Sequence, residues 1–306
     1  MPLSRVCLTK VTLDGNHGIF QRQIMAMNAE ATAVVLGLVS AAAWGAGDFS
    51  GGLASRRSHV YSVVIAAHSI GLVLLVVLAL AHGEALPPIG GVLWACIAGA
   101  FTAVGLTALY RALAIGQMGI VAPITGALSA GLPAIFSAFV SGLPAPVELV
   151  GFALAIIGIW LIARSPGDGN RREGIRLALI SGIGFGGFLI LINRLTGTEA
   201  FWPLAIARAS SLALMIALAV ITRHPLLPQV KRLPLALLSG ILDIAANVFF
   251  VLAAQSGRLD IAAVVASLYP ASTLLLARVF LKERLTHAQS AGIIAVLAAI
   301  PLIAWR

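Results

Sequence analysis

The stretch AVVLGLVSAAAWGAGDFSGGLA, residues 33–54, is almost entirely apolar and contains one charged residue, Asp48. About 20 such residues in a helix cross the ~30 Å hydrocarbon core of a bilayer. Nine further runs of the same kind follow it along the chain. The ten predicted spans lie at 33–54, 60–82, 90–112, 118–140, 145–163, 175–193, 200–222, 233–255, 261–281 and 286–304. We therefore predict an all-α membrane protein with ten transmembrane helices.

The composition of the chain agrees with lipid as its main solvent. The 306 residues are 60% hydrophobic and 10% charged, whereas soluble domains are about 25% charged. Basic residues give a net charge of +9, but they are scattered between apolar runs, so we expect no nucleic-acid partner. The two cysteines, Cys7 and Cys96, form neither a disulfide framework nor a metal cluster, and we expect no metal and no cofactor.

An internal repeat divides the chain into two halves. Sliding the sequence by 141 residues aligns all five span boundaries without a gap. The aligned pairs include Ser40 with Ser181, Gly45 with Gly186, Ser69 with Ser210, Gly99 with Gly240, Gly116 with Gly257, and Gly151 with Gly292. We predict a first five-helix repeat at 30–164, a polar linker at 165–174 and a second repeat at 175–306.

The predicted polar N-terminal tail, residues 1–29, lacks the apolar core of a signal peptide. Met25 and Met27 directly precede the first apolar run, so this segment is either a soluble tail or the product of an upstream start assignment.

The odd number of helices in each repeat determines how the halves are related. The second repeat enters the bilayer from the side opposite to the first, so the two copies form an inverted repeat. Such folds place a binding site near the midplane between the repeats and alternate its access from one side to the other.

Ionisable residues within the spans are the first candidates for that site. A charge at the bilayer centre costs roughly 2.5–3.5 kcal/mol on insertion scales, and it usually faces a cavity or a partner. Asp48 lies among four glycines, and Asp243 lies near the middle of the eighth span with Asn247 one turn later. Alternatively, Asp48 is solvated at the interface, and Asp243 forms a structural ion pair with Arg208. Arg208 either holds a substrate carboxylate or neutralises one of the two acids.

Other polar and aromatic residues complete the predicted substrate or proton pathway. His68 is a possible proton relay, and Trp44, Tyr110 and Tyr269 are possible stacking surfaces; ordinary packing is the alternative for all four. Three prolines within spans 4 and 9 are predicted to kink their helices, because each removes a backbone donor. They are Pro123, Pro133 and Pro270.

The last two spans carry the strongest family signal. QSGRLDIAAVVASLYPASTLLLARVFLKERLTHAQSAGIIAVLAAI, residues 255–300, resembles the EamA family of the drug/metabolite transporter superfamily, with a proline-containing ninth helix and a Glu283-Arg284 turn. Residues 108–136 resemble the counterpart in the first repeat. The resemblance implies a ten-helix carrier, typically an exporter, whose helices 1, 3, 4, 6, 8 and 9 line a central cavity.

The first repeat departs from this pattern at three places. Ala67 stands at the position equivalent to Arg208, Ser129 at that of Pro270, and Gly142-Leu143 at that of Glu283-Arg284. These three departures weaken the case for charge coupling at the corresponding positions of the first half.

Together these features predict a secondary active transporter that exports a small metabolite or drug by alternating access, with proton exchange at Asp48 or Asp243. We expect a multi-pass protein of the bacterial inner membrane, a monomer or homodimer, and not an enzyme. A non-transporting scaffold or assembly subunit is the alternative. An intramembrane aspartyl protease is a remote one, because residues 45–48 spell GxGD but lie in the first span and no Pro-Ala-Leu motif follows.

The charges of the loops leave the orientation open. Twelve of the 20 basic residues follow odd-numbered spans and six lie on the opposite side. The positive-inside rule then places both termini outside the cytoplasm, whereas ten-helix relatives are usually drawn with both termini inside.

Overall fold

The structure is a computed structural model that describes residues 10–141, 145–164, 169–192, 195, 200–256 and 259–303. Within these ranges the chain forms eleven α-helices, one 3-10 turn at Val230–Arg232 and no strands. The helices are α1 Lys10–Ser55, α2 Val60–Ala81, α3 Ile89–Ile115, α4 Met118–Ser141, α5 Pro146–Arg164, α6 Gly169–Ile192, α7 Phe201–Ile221, α8 Leu233–Gln255, α9 Leu259–Ala266, α10 Tyr269–Phe280 and α11 His287–Ile303.

Ten apolar helical segments are present in the described part of the chain. Eight are long and apolar enough to cross a membrane, and α9 and α10 together supply one of them, at Ala262–Phe280. The other two, Pro146–Ile162 and His287–Ile303, are shorter apolar helices. The predicted all-α, ten-helix class is confirmed.

The ninth span is broken rather than kinked. The sequence predicted one helix over 261–281, but α9 ends at Ala266 and α10 begins at Tyr269. Pro270 lies in the first turn of α10, where its missing N–H is tolerated and its ring prevents the preceding turn from continuing as helix. Pro123 and Pro133 both lie inside α4, and the kinks predicted there stay a prediction.

Two predicted polar segments are partly helical. α1 begins at Lys10, so residues 10–29 of the predicted tail continue directly into the first span. α6 begins at Gly169, within the predicted linker. Residues 1–9 and 165–168 lie outside the described residues.

The helices of the two repeats pack in a reciprocal pattern. α1 packs along α8, and α3 packs along α6 in the same way. α4 packs against α6, while α9 and α10 pack against α1. Three pairs, α2 with α7, α5 with α11, and α4 with α10, join equivalent helices of the two repeats. Exchanging the repeats preserves these contacts, as a two-fold axis requires, and five crossings per repeat place that axis in the membrane plane.

Glycine contacts show the same relationship at the level of residues. A Cβ added at Gly45 would lie 2.7 Å from the Tyr269 carbonyl oxygen and 2.8 Å from the Thr273 nitrogen. The equivalent Gly186 would meet the Cβ of Leu132 at 2.6 Å and the Leu128 carbonyl oxygen at 3.5 Å. Leu128 and Leu132 precede Tyr269 and Thr273 by the same 141 residues that separate the glycines. Small residues let these helices approach closely on both sides of the axis.

Alternation of direction assigns each loop to one of two membrane faces. We call one the Glu283 face; its loops are 56–59, 116–117, 222–232 and 281–286. We call the other the Glu84 face; its loops include 82–88 and the segment that leads into α7.

Candidate functional site: a central cavity between the repeats

A cavity of about 440 Å³ lies between the two repeats. Its size is typical of small-molecule sites. Residues of spans 1, 3, 4, 6, 8 and 9 line it, as the family resemblance implied; the ninth span is α9 together with α10. Residues of α2 and α7 line it as well. All eight residues predicted for a substrate or proton pathway line it: Trp44, Asp48, His68, Tyr110, Arg208, Asp243, Asn247 and Tyr269.

Arg208 and Asp243 form an ion pair in the cavity wall. The Nη2 of Arg208 on α7 donates to the Oδ2 of Asp243 on α8, and the two side chains are 13% and 34% exposed. Asn247 donates from Nδ2 to the backbone oxygen of Asp243 at 2.6 Å. Of the partners considered for Arg208, the tertiary structure therefore selects Asp243.

Asp48 has no such partner. It is half-buried on α1, and it makes no hydrogen bond and no ion pair with the residues that the structure describes. The adjacent Gly47 brings α1 close to α8, since a Cβ there would lie 3.3 Å from the Ser239 oxygen and 3.7 Å from the Asp243 nitrogen. Two carboxylates thus face the same cavity: that of Asp48 is unpaired, and that of Asp243 is paired with Arg208.

Two buried side-chain hydrogen bonds join α2, α3, α7 and α8 around the cavity. The Tyr110 hydroxyl is hydrogen-bonded to the Ser239 hydroxyl. The Nδ1 of His68 lies 2.9 Å from the Ser211 hydroxyl, while its Nε2 is buried and has no hydrogen-bond partner in the described part of the chain. His68 therefore keeps one ring nitrogen available on a residue that lines the cavity.

Aromatic rings form another part of the wall. The Trp44 ring lies 6.0 Å from that of Phe250 and 6.2 Å from that of Tyr269, the latter edge-on. Phe185 and Phe188 of α6 also line the cavity. Such surfaces stack on planar groups and attract cations through the ring quadrupole.

The cavity extends from the middle of the bundle towards the Glu84 face. Its lining includes Ile192, Ala200, Leu204 and Val251, which lie near the helix ends at that face. No residue within the last turns of α1 or α3 at the Glu283 face is part of the lining.

Close packing fills the bundle on the Glu283 side of the cavity. A Cβ at Gly52 would lie 2.6 Å from the Cβ of Leu113 and 3.1 Å from the Cε of Met118. Gly51 packs directly on the ring of Tyr110. Gly51 and Gly52 therefore serve helix packing, and they close the cavity at this end.

Glu283 closes the same face from the outside. Its Oε1 and Oε2 accept hydrogen bonds from the backbone nitrogens of Met118 at 2.9 Å and Gly119 at 3.0 Å. Arg56 lies 4.0 Å from Oε1. A carboxylate is favoured at a helix N-terminus by the unpaired N–H groups and the helix dipole. Glu283 thus caps α4 and joins the second repeat to the first.

Glu84 caps α7 on the opposite face, a contact that was not predicted from the sequence. Its carboxylate accepts hydrogen bonds from the backbone nitrogens of Ala200 at 2.9 Å, Phe201 at 2.9 Å and Trp202 at 3.0 Å. More than a hundred residues separate the acid from the helix that it caps, so no local motif could have indicated the pair.

The second half of the chain matches a known family. Residues 172–305 match the model of the EamA-like transporter family. This segment is an EamA-like domain. The predicted resemblance is confirmed over these residues, which include Arg208, Asp243 and Tyr269. The chain is accordingly a multi-pass membrane protein whose residues 172–305 match a transporter family.

Solved structures extend the likeness to both repeats. Nineteen chains of known structure match. One crystal structure of another protein is 21% identical, with a TM-score of 0.60, and the match covers 88% of this chain and 97% of that one. At this identity the likeness shows the fold alone. No curated protein matches.

The cavity has the parts for binding and charge exchange. Among the described residues, no group of three or more His, Cys, Asp or Glu side chains could hold a metal. Aspartyl proteolysis needs two acids that share a proton, whereas Asp243 is bound to Arg208. The arrangement is suited to a reversible site with one unpaired acid.

Proposed function

We propose that this protein is a secondary active transporter that exports a small amphipathic metabolite or drug across the bacterial inner membrane by alternating access. It exchanges protons and carries out no enzymatic reaction. The observation behind this proposal is a single arrangement: a cavity between two inverted repeats that reaches towards one membrane face and is closed at the other.

The closed face supports the alternating-access step. Transport requires that the Glu283 face open, and this means separating α4 from the end of α10. The contacts to be broken there include the Glu283 cap and the packing of Gly119 on α4 against Leu274 on α10. Because the repeats are related by an axis in the membrane plane, exchanging their conformations would close the Glu84 side as the Glu283 side opens.

Asp48 is the proposed coupling acid. Its charge has no ionic partner, whereas the charge of Asp243 is balanced by Arg208. Binding of a proton or of a cationic substrate group neutralises Asp48 and lowers the cost of moving the site through the apolar interior. Competition between the proton and the substrate for one carboxylate is sufficient for exchange.

The aromatic surface at Trp44 favours a substrate with an apolar or planar part. With Asp48 facing the same cavity, a cationic group on that substrate would satisfy both features. A cavity of about 440 Å³ limits the substrate to a small molecule.

The test begins with the substrate. Metabolites inside and outside cells that lack or overproduce the protein are compared, and the compound with the largest shift is loaded into proteoliposomes. A pH gradient should then drive its flux through the wild-type protein. Asp48→Asn should abolish the dependence of flux on that gradient, because the amide cannot exchange a proton.

Glu173→Gln is the matched control for this change. It also converts a carboxylate to an amide, but on an exposed pair with Arg176 away from the cavity. A pH dependence that survives in Asp48→Asn rules out Asp48 as the coupling acid. A scaffold or assembly subunit would instead produce no metabolite shift and no stabilisation by any candidate compound.

A further inference from the structure

A second, larger cavity lies at the Glu283 face, outside the central one. Its volume is about 1220 Å³, and it lies among the start of α2, the helices α3, α6 and α7, and the loop 225–230. The central cavity and this one share no lining residue. The proposed transport cycle therefore leaves it without a role.

The charged residues that line this cavity are all basic. Arg56, Arg57 and Arg111 contribute, with His59 beside them, and no acid is part of the lining. Arg56 already forms a salt bridge with Glu283, at 4.0 Å. Arg57 and Arg111 are exposed, and neither forms a salt bridge with the described residues. The cavity thus offers two free guanidinium groups to an anion.

The inner walls of the cavity are apolar and lie on membrane-spanning helices. Val104 on α3 is 49% exposed and Ile180 on α6 is 36% exposed. Leu177, Met215 and Leu218 continue this surface. A ligand that fits both parts has an anionic head and a hydrocarbon tail.

The repeat symmetry points to the start of α2 as a place for an anion. At the Glu84 face, the Glu84 carboxylate binds three N–H groups at the start of α7. The same 141-residue offset relates Phe201 to Val60 at the start of α2, and relates Glu84 to Pro225. Proline supplies no carboxylate, and the Tyr61 nitrogen at the start of α2 donates instead to the His59 Nδ1 at 3.4 Å. The start of α2 thus has a histidine cap where its counterpart has a carboxylate.

A buried hydroxyl supports the same conclusion independently. Ser55 lines the cavity and is 8% exposed, and its Oγ has no hydrogen-bond partner among the residues that the structure describes. Buried hydroxyls without a partner are rare and often indicate an absent ligand or water.

We propose that this cavity binds an anionic phospholipid. Its phosphate contacts Arg57, Arg111 and the Ser55 hydroxyl near the start of α2, and one acyl chain lies along Val104 and Ile180. A lipid fits better than a free anion because the walls are apolar and membrane-facing. The Glu283 face also carries more of the basic residues, and basic residues at a membrane surface attract anionic headgroups.

The test is thermal unfolding of the purified full-length protein in detergent with added phosphatidylglycerol, phosphatidylcholine or inorganic phosphate. Phosphatidylglycerol alone should raise the Tm of the wild type. Arg57→Gln/Arg111→Gln should keep the basal Tm, because both side chains are exposed, and should weaken the apparent affinity for phosphatidylglycerol tenfold or more.

Lys231→Gln/Arg232→Gln removes the same charge from the same face but outside the cavity lining, and it should retain the lipid effect. Equal loss in this control would overturn the site in favour of general surface electrostatics. If inorganic phosphate alone raised the Tm equally, the ligand would be a free anion and not a lipid. If phosphatidylglycerol and phosphatidylcholine raised the Tm equally, the site would recognise no anion at all. Asp48→Asn should leave the lipid effect intact, so the result is independent of the transport proposal.

Discussion

Arg208 on α7 is bound to Asp243 on α8, and this ion pair leaves Asp48 on α1 as the unpaired acid of the central cavity. The two acids therefore differ in chemistry although both lie in apolar spans. Asp243 holds the Arg208 guanidinium in place. Asp48 is free to bind and release a proton or a substrate cation. Each has its own expected mutant phenotype.

Asp243→Asn should destabilise the protein, because it leaves the Arg208 guanidinium, 13% exposed, without its counter-charge. Removal of one partner from a buried pair costs about 3–5 kcal/mol, and the partial exposure of Asp243 reduces this to about 2 kcal/mol. The fall in Tm in detergent measures the effect.

Arg208→Met/Asp243→Leu supplies the control, since replacing both charges with apolar side chains of similar volume should restore most of the stability. A double variant as unstable as Asp243→Asn would contradict the ion-pair explanation.

Gly45→Ala should destabilise the contact between α1 and α10. Its new methyl group would meet the Tyr269 carbonyl at 2.7 Å and the Thr273 nitrogen at 2.8 Å, and backbone atoms cannot rotate away. Overpacking of this kind costs about 1–3 kcal/mol, measured as a lower Tm. Gly90→Ala in α3 has no atom within 4 Å and should be neutral or slightly stabilising through helix propensity. Similar losses in both variants would show that packing is not the cause.

Glu283→Gln should make the Glu283 face open more often, because the amide caps α4 more weakly than the carboxylate. Loss of about 1.4 kcal/mol from charge-assisted hydrogen bonds corresponds to a tenfold population shift. A cysteine at Leu113, which is fully buried, should then react faster with an impermeant maleimide in a background without Cys7 and Cys96.

Glu148→Gln is the matched variant for this experiment, because Glu148 also caps the start of a helix, at 2.8 Å from the Ala145 nitrogen, but on the other face. Unchanged labelling in Glu283→Gln would show that the cap does not limit opening.

His59 should make stability depend on pH. Burial, the stacked His224 ring at 3.6 Å and the charge of Arg111 lower the pKa of His59 below its ordinary value of 6.5. The unfolded chain therefore takes up this proton at a higher pH than the folded one. The Tm should be unaffected above about pH 7 and fall as the pH drops through 6.5.

His59→Gln should flatten that decline, while His287→Gln, at an exposed position, should keep it. Identical pH profiles for the wild type and His59→Gln would contradict the assignment.

Much of the fold was predictable from local composition. The boundaries of α2, α4, α7 and α8 lie within two residues of the predicted spans, because transfer into lipid depends on the apolar content of each segment. The break before Pro270 was predicted as a kink, since proline shows where a backbone donor is lost but not how the neighbouring turn responds.

The sequence indicated which polar residues face a cavity, but it left their pairings between alternatives. All eight predicted residues line the central cavity, because polar groups in a span avoid lipid. Glu84 was missed, since an acid in a loop has an ordinary polar surrounding and its partner helix begins more than a hundred residues later.

The amino-acid sequence alone was enough to predict ten apolar spans, a 141-residue repeat and a set of polar residues that must avoid lipid. Each of these properties can be read from the residues of the segments themselves. The folded bundle alone decided that Arg208 binds Asp243, that Glu283 caps α4, and that the central cavity reaches towards the Glu84 face. Those outcomes depend on distances between helices remote in the chain, and electrostatic and packing energies are sensitive to such distances on the scale of an ångström.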